Sequence, residues 1–147
     1  MKKVLFVFLI GYVSFGYGQL REEITGSFDN GNKKIVCFYD GKEIVKKIRY
    51  YPNGSEFNVK TYKNSIRSNI KIYYKTDASF RRNYGKSAGK LASETFYDDN
   101  GDMYLEVHHW YESNNDLMKR KEVNYKEGKE IDKKCYNFDN ELMECLW

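Results

Sequence analysis

Residues 38–56 read FYDGKEIVKKIRYYPNGSE and contain two aromatic pairs, each followed by a short polar turn. The turn residues are Asp40-Gly41 after the first pair and Pro52-Asn53-Gly54 after the second. Asp-Gly and Asn-Gly supply the positive φ that tight hairpin turns require, and aromatic or β-branched neighbours favour strands. The segment therefore predicts a β-strand held between two turns.

The same pattern, an aromatic residue followed by a turn rich in Asp, Asn and Gly, returns along the chain every ten to fifteen residues. Short strands with turn signals at this interval predict an all-β fold, an antiparallel meander of repeated short hairpins. Both an open twisted sheet and a barrel-like closure fit the pattern. The further copies begin at Phe28, Tyr62, Phe96, Trp110, Tyr125 and Phe138.

Residues 76–95 interrupt this rhythm, because they are poor in strand-forming residues and contain Gly85 and Gly89. We expect a long loop here, or a short helix for which Asp77 is the N-cap. The interruption divides the repeats into two hairpin sets, at about 27–75 and 96–147.

The N-terminus has the layout of a secretory signal peptide. A basic start, Met1-Lys2-Lys3, precedes an uncharged, mostly apolar run, and small residues follow at Gly16 and Gly18. This order predicts a signal peptide over residues 1–18 that is cut after Gly18, and the run is too short for a lasting membrane span. The mature chain, 19–147, is then a single β-repeat domain that is secreted or periplasmic.

The charge of the chain does not point to nucleic acid. The formal net charge is +4, and loss of Lys2 and Lys3 with the signal peptide lowers it to +2. Basic and acidic residues are mixed along the sequence, without the dense basic blocks of a nucleic-acid footprint. The expected partner is a protein or a glycan, with no membrane span after signal cleavage.

Three cysteines remain after the signal peptide, Cys37, Cys135 and Cys145. In an oxidising compartment two of them can pair. Cys135 and Cys145 flank a turn almost symmetrically, which is compatible with a cross-strand bridge. Pairing of Cys37 with either of them, and three reduced buried thiols, are the alternatives. None has a C-x-x-C partner, so the sequence does not favour a redox or zinc role.

No residue set predicts catalysis, and no cofactor or metal is expected. His108 and His109 are adjacent on a predicted strand and point to opposite faces, so they cannot easily share a metal ion. The stretch DDNGD at 98–102 lacks the alternating spacing of a calcium loop. FRRNYGKS at 80–87 begins with Phe80 where a phosphate-binding loop needs glycine.

Tyrosine is the strongest compositional signal, with 14 in the chain. Cross-strand aromatic pairs explain many of these, each contributing roughly 0.2–1 kcal/mol. Aromatic residues on both faces of a strand exceed what one core needs, and exposed tyrosine suits sugar or peptide contacts. The predicted binding residues are Tyr51, Tyr62, Tyr104 and Trp110.

The stretches YYPNGSE, YDDNGDMY, YKEGKEI and FYDGKEI resemble the repeats of bacterial MORN-variant proteins. In that family, aromatic-x-x-Gly turns punctuate a meander of short strands. This chain lacks the regular second and third glycines of those repeats, and its spacing drifts. The resemblance implies an elongated β-meander used for interaction rather than catalysis, and it transfers no catalytic residue.

Together these patterns favour an exported, non-enzymatic β-repeat protein that presents aromatic faces or an open edge to a protein or glycan. The alternative is a small β-barrel that carries an apolar ligand in its interior. Whether the sheet is open or closed distinguishes the two.

Overall fold

The computed structural model of the chain describes residues 20–74, 89–111, 117–137 and 139–145. The predicted signal peptide at 1–18 lies outside these ranges. The described residues form ten β-strands and no helix, and each strand is hydrogen-bonded antiparallel to the next in the chain. This confirms the predicted all-β meander of repeated hairpins.

Strand order in space follows order in sequence, so β1 and β10 are the two edges. The described strands of these edges do not pair with each other, and the sheet is open rather than closed into a barrel. The strands are β1 Arg21–Ser27, β2 Lys33–Asp40, β3 Glu43–Tyr50, β4 Glu56–Lys63, β5 Ile66–Tyr73, β6 Leu91–Tyr97, β7 Met103–Tyr111, β8 Leu117–Lys126, β9 Lys129–Tyr136 and β10 Leu142–Met143.

The longer turns share one backbone geometry. In the first, the Phe28 N–H donates to the Asn32 carbonyl at 2.8 Å, and the Gly31 N–H donates to the Phe28 carbonyl at 2.9 Å. Gly31 has a φ of 83°. This is a type I turn followed by a left-handed residue, which is why Asn-Gly recurs in the sequence. The same two hydrogen bonds close the turns at 51–55, 98–102 and 137–141.

A β-bulge follows the turn in most hairpins and changes which residues share a face. In the β2–β3 hairpin, Tyr39 lies opposite Ile44 and Phe38 opposite Lys46, so Val45 has no partner. Ile44 and Lys46 therefore lie on opposite faces, although simple alternation predicts a shared face. Equivalent extra residues are Phe57, Ser68, Ala92, Tyr104 and Ile131.

The predicted loop or helix at 76–95 is partly strand. β6 begins at Leu91 and pairs with both β5 and β7, which joins the two predicted hairpin sets into one continuous sheet. Leu91 and Thr95 are shielded on both sides by neighbouring strands, so pairing overrides their weak strand pattern. Residues 75–88 of this segment lie outside the described residues.

The core is thin because the described chain forms one layer. On one face, Val36, Ile48 and Val59 are 1%, 3% and 6% exposed and lie opposite one another on β2, β3 and β4. Most other strand residues are only half-buried. The buried valine and isoleucine side chains are covered by longer side chains next to them on the same face, since lysine stems and aromatic rings can lie along an apolar surface. Both faces of the sheet consequently remain accessible to a partner.

Candidate functional site

The strand register assigns side chains to two faces, because directly opposite residues on neighbouring strands point the same way. We call the face that carries Val36, Ile48 and Val59 the back face. The front face carries Cys37 on β2, with Lys47 opposite it on β3 and Lys60 next on β4.

The front face of β3–β5 holds a group of like charges, which we call the basic cluster: Lys47, Arg49, Lys60 and Arg67. Lys47 lies directly opposite Lys60. Burial lowers the pKa of Lys60 most, and repulsion from the other members lowers it further. Among the described residues, no acidic side chain forms an ion pair with Lys47, Arg49 or Lys60. The cluster is therefore electrostatically unfavourable by itself.

On the back face, some lysines form ion pairs with acidic side chains. Lys71 Nζ lies 3.3 Å from Glu94 Oε1, and these two residues are directly opposite on β5 and β6. Lys134 Nζ lies 3.6 Å from Asp132 Oδ2 on β9. These two lysines of the back face are paired with carboxylates, although Lys126 lies opposite Lys129 on the same face.

Four tyrosines, one on every second strand, form a row along the same front face. Each lies in the last or the last but one pair before a hairpin turn, and the strands that carry them are two apart, or about 10 Å. The Arg67 guanidinium lies 5.3 Å from the centre of the Tyr97 ring, which joins the row to the basic cluster. We call Tyr39, Tyr62, Tyr97 and Tyr125 the tyrosine row.

Next to the basic cluster lies an open groove of about 290 Å³. Ile35 and Arg49, opposite each other on β2 and β3, place it on the front face. The Lys34 ammonium lies 5.7 Å from the centre of the Phe28 ring at one wall. The groove thus combines aromatic walls with basic side chains, and it is lined by Phe28, Lys34, Ile35, Arg49, Tyr50 and Phe57.

Asn58 lies between the groove and the cluster, opposite Arg49. It is 8% exposed, and its Oδ1 atom has no hydrogen-bond partner among the described residues. A buried polar atom without a partner is costly, at roughly 1–3 kcal/mol. Because this atom is buried, the unmet hydrogen bond is a cost inside the sheet and not a contact point for a partner.

The predicted binding residues do not form one site. Tyr62 belongs to the tyrosine row, and Trp110 lies on the front face three strands away, where its ring stacks 5.8 Å from His108. Tyr51 packs 5.0 Å from Phe57 at the groove, and its hydroxyl donates to the Tyr73 carbonyl at 3.2 Å. Tyr104 is the bulge residue of β7 and contacts Phe96 on the back face.

Sequence reasoning missed the basic cluster. Its members are scattered over β3, β4 and β5, within an apparently even mixture of charges. The available signal was the alternation of Lys47 with Arg49 and of Asn58 with Lys60, which places each pair on one strand face. Only the register between the strands shows that these pairs meet.

The histidines and cysteines occupy other places. Burial, and next the charge of Arg120, lower the pKa of His109, which lies on the back face. Cys135 and Cys145 form a disulfide with a Cα–Cα distance of 5.4 Å, and Cys37 is a buried free thiol. Within the described ranges, no group of three His, Cys, Asp or Glu side chains is placed to hold a metal ion. Those ranges also contain no apolar helix of membrane-spanning length.

Neither a family model nor a curated protein matches the sequence. Two solved structures are similar to the chain at a low level. The crystal structure of TarM has 10% identity and a TM-score of 0.49, over 85% of this chain and 21% of that chain. Accessory secretory protein 1,2 and 3 in Streptococcus pneumoniae has 11% identity and a TM-score of 0.40, over 83% and 22%. The chain spans about a fifth of each, and likenesses at this level assign it no function.

Proposed function

We propose that this protein is an exported, non-enzymatic module that binds a protein or glycan through the front face of its open sheet. The observation that carries the proposal is the basic cluster, whose like charges lie opposite one another without acidic neighbours. Such pairs destabilise a sheet. Violations of local folding rules concentrate at functional sites, where a partner supplies the missing compensation.

The openness of the sheet supports binding at a surface. A carrier of an apolar ligand needs an enclosed interior, and the described strands leave β1 and β10 unpaired with each other. The groove is likewise open and mixes basic with aromatic side chains. These features suit a partner laid against the sheet better than a small molecule held inside it.

A second support comes from the side-chain types on the front face. Tyr and Arg are the residues enriched in binding interfaces, where they contribute large contact areas. The resemblance to MORN-variant repeats supports the same proposal, because it implies that the repeated hairpins serve interaction. The premise for export is the signal-peptide pattern at 1–18.

Charge reversal on adjacent residues of β3 tests the proposal. Lys47→Glu alters the front face, whereas Lys46→Glu makes the same change on the back face, where Lys46 lies opposite Phe38. The purified protein and both variants are compared on a glycan array and on a panel of purified extracellular proteins. We expect Lys47→Glu to abolish the strongest signals and Lys46→Glu to preserve them. Identical binding by both variants would exclude the front face as the binding surface.

A further inference from the structure

The front face presents features that call for one kind of ligand. The basic cluster attracts negative charge, and the tyrosine row offers aromatic surfaces at a regular interval. Few ligand classes combine negative charge with flat apolar surfaces. Such a ligand would be the partner of the front face, given the proposed function on which this inference rests.

We propose that the front face binds an acidic polysaccharide, a chain of sugar rings that bear carboxylates. The chain lies across the strands rather than along them. A sugar ring packs on Tyr62, and the carboxylates lie on Lys47, Lys60 and Arg67.

The spacing of the tyrosine row supports a polymer with a repeating unit. Tyr39 is on β2, Tyr62 on β4 and Tyr97 on β6, so successive rings are about 10 Å apart. That interval is about the length of a disaccharide. The C–H face of a sugar ring packs against an aromatic ring, and the tyrosine hydroxyl tolerates the water around it. A linear glycan would thus meet one tyrosine with each repeating unit, and Arg21 and Arg67 lie over the rings of Tyr39 and Tyr97, at 4.6 Å and 5.3 Å.

The charges favour an acidic glycan over a neutral one. Lys60 is half-buried and repelled by its basic neighbours, so an anion placed there relieves an existing cost. Hydrogen bonds between ionised groups are also stronger than hydrogen bonds between neutral groups. A neutral sugar would leave the repulsion between Lys47 and Lys60 in place.

The tyrosine row favours a glycan over an acidic peptide. A sugar ring has an apolar face that can pack on Tyr62, and the same ring bears the carboxylate. Asp and Glu side chains in a peptide are acceptors when ionised and have no broad apolar face for the tyrosine row. The backbone of a peptide would instead pair with an edge strand, away from the central part of the front face.

The test uses polygalacturonate, its carboxyl-reduced neutral form and polyglutamate as probes for the full chain, with calorimetry as the readout. We expect binding to polygalacturonate, and at least about tenfold weaker binding to the other two polymers. Raising the ionic strength from about 0.01 M to about 1 M shortens the Debye length from roughly 30 Å to 3 Å and should weaken binding strongly.

Matched variants locate the interaction. Lys47→Gln combined with Lys60→Gln should weaken binding to polygalacturonate by about tenfold or more, because it removes charged hydrogen bonds. Tyr62→Ala should also weaken it, by removing a stacking surface. Lys46→Gln, on the same strand but the opposite face, is the charge control and should bind like the parent. Circular dichroism establishes that each variant is folded.

The outcomes separate the two proposals. Equal binding of the acidic and neutral polymers, or stronger binding of polyglutamate, would overturn the acidic polysaccharide and leave a front-face binding module standing. Absence of binding to all three polymers also overturns this inference. The proposed function fails separately, when Lys47→Glu leaves every partner signal on the array and protein panel unchanged.

Discussion

At the scale of single residues, the front face is a place where stability and binding oppose each other. Lys60 lies opposite Lys47 and near Arg49 and Arg67, so its charge is unfavourable in the folded protein. The same arrangement attracts an anion. A change that removes the charge should therefore improve folding and impair binding, which a purely structural lysine would not do.

Replacement of Lys60 by glutamine should raise the free energy of unfolding by about 0.5 kcal/mol, within the usual range for cross-strand pairs. The measurement is urea denaturation without ligand at low ionic strength. Lys46→Gln is the control on the back face and should give no increase. A loss of stability in Lys60→Gln would show that the lysine stem, rather than its charge, dominates at this position.

The pH dependence of stability follows from the lowered pKa of Lys60. Between that lowered value and the ordinary lysine value of 10.5, the unfolded chain holds more protons than the folded one. The contribution of Lys60 to the free energy of unfolding must then rise as the pH increases between these two values. We expect the difference in unfolding free energy between Lys60→Gln and the parent to shrink as pH approaches 10.5. An unchanged difference would contradict the assignment.

Tyrosine hydroxyls make a different contribution at the strand ends. The Tyr74 hydroxyl donates to the His109 carbonyl at 2.9 Å, which ties the end of β5 to β7 across β6. Tyr74→Phe should lower the free energy of unfolding by about 1 kcal/mol, the usual net value of a hydrogen bond. Tyr104→Phe, at a 46% exposed ring on β7, should cost almost nothing. Thermal denaturation of both variants measures the contrast.

At the scale of elements, the two edges of the sheet are protected in different ways. β1 carries Arg21, Glu22 and Glu23, and exposed charges on an edge discourage pairing with other chains. β10 contains only Leu142–Met143, and the Cys135–Cys145 disulfide fastens the residues that follow it to β9. A short edge strand without such a link has little to hold it in place.

Cys145→Ser should therefore release β10 while the rest of the sheet persists. We expect a stability loss of about 2–3 kcal/mol, given that the bridge closes a short loop. Hydrogen exchange should show loss of protection concentrated in β9 and β10. Uniform loss across all strands would contradict a local role for the bridge.

Alkylation distinguishes this pairing from the other arrangements that the sequence allowed. In the folded protein, buried Cys37 should resist modification. After denaturation without reductant, a single thiol should react, and peptide mapping should identify it as Cys37. Modification of Cys135 or Cys145 under those conditions would contradict the bridge.

The elements also show where sequence patterns stop being sufficient. Turn residues such as Gly31 and Gly54 were predictable, because positive φ restricts the choice of residue at that position. The faces of β3 were not, because the bulge at Val45 shifts the alternation by one residue. A bulge depends on how two strands pair, and neither strand encodes it alone.

At the scale of the whole molecule, the open sheet formed by the described residues leaves both of its faces accessible to a partner. The proposed export of the protein can be tested directly. When the full gene is expressed with a C-terminal tag in a bacterial host, we expect the product outside the cytoplasm. N-terminal sequencing should begin at Gln19. A cytoplasmic product that retains Met1 would contradict the signal peptide.

The amino-acid sequence by itself determined the all-β class, the hairpin repeat and the turn positions, since each depends on local preferences of a few adjacent residues. The tertiary structure decided whether the sheet is open, where β6 begins and which side chains share a face. It alone brought Lys47, Lys60 and Arg67 together beside the tyrosine row. The physical reason is that register is a property of strand pairs, and a shift of one residue moves a side chain to the other face.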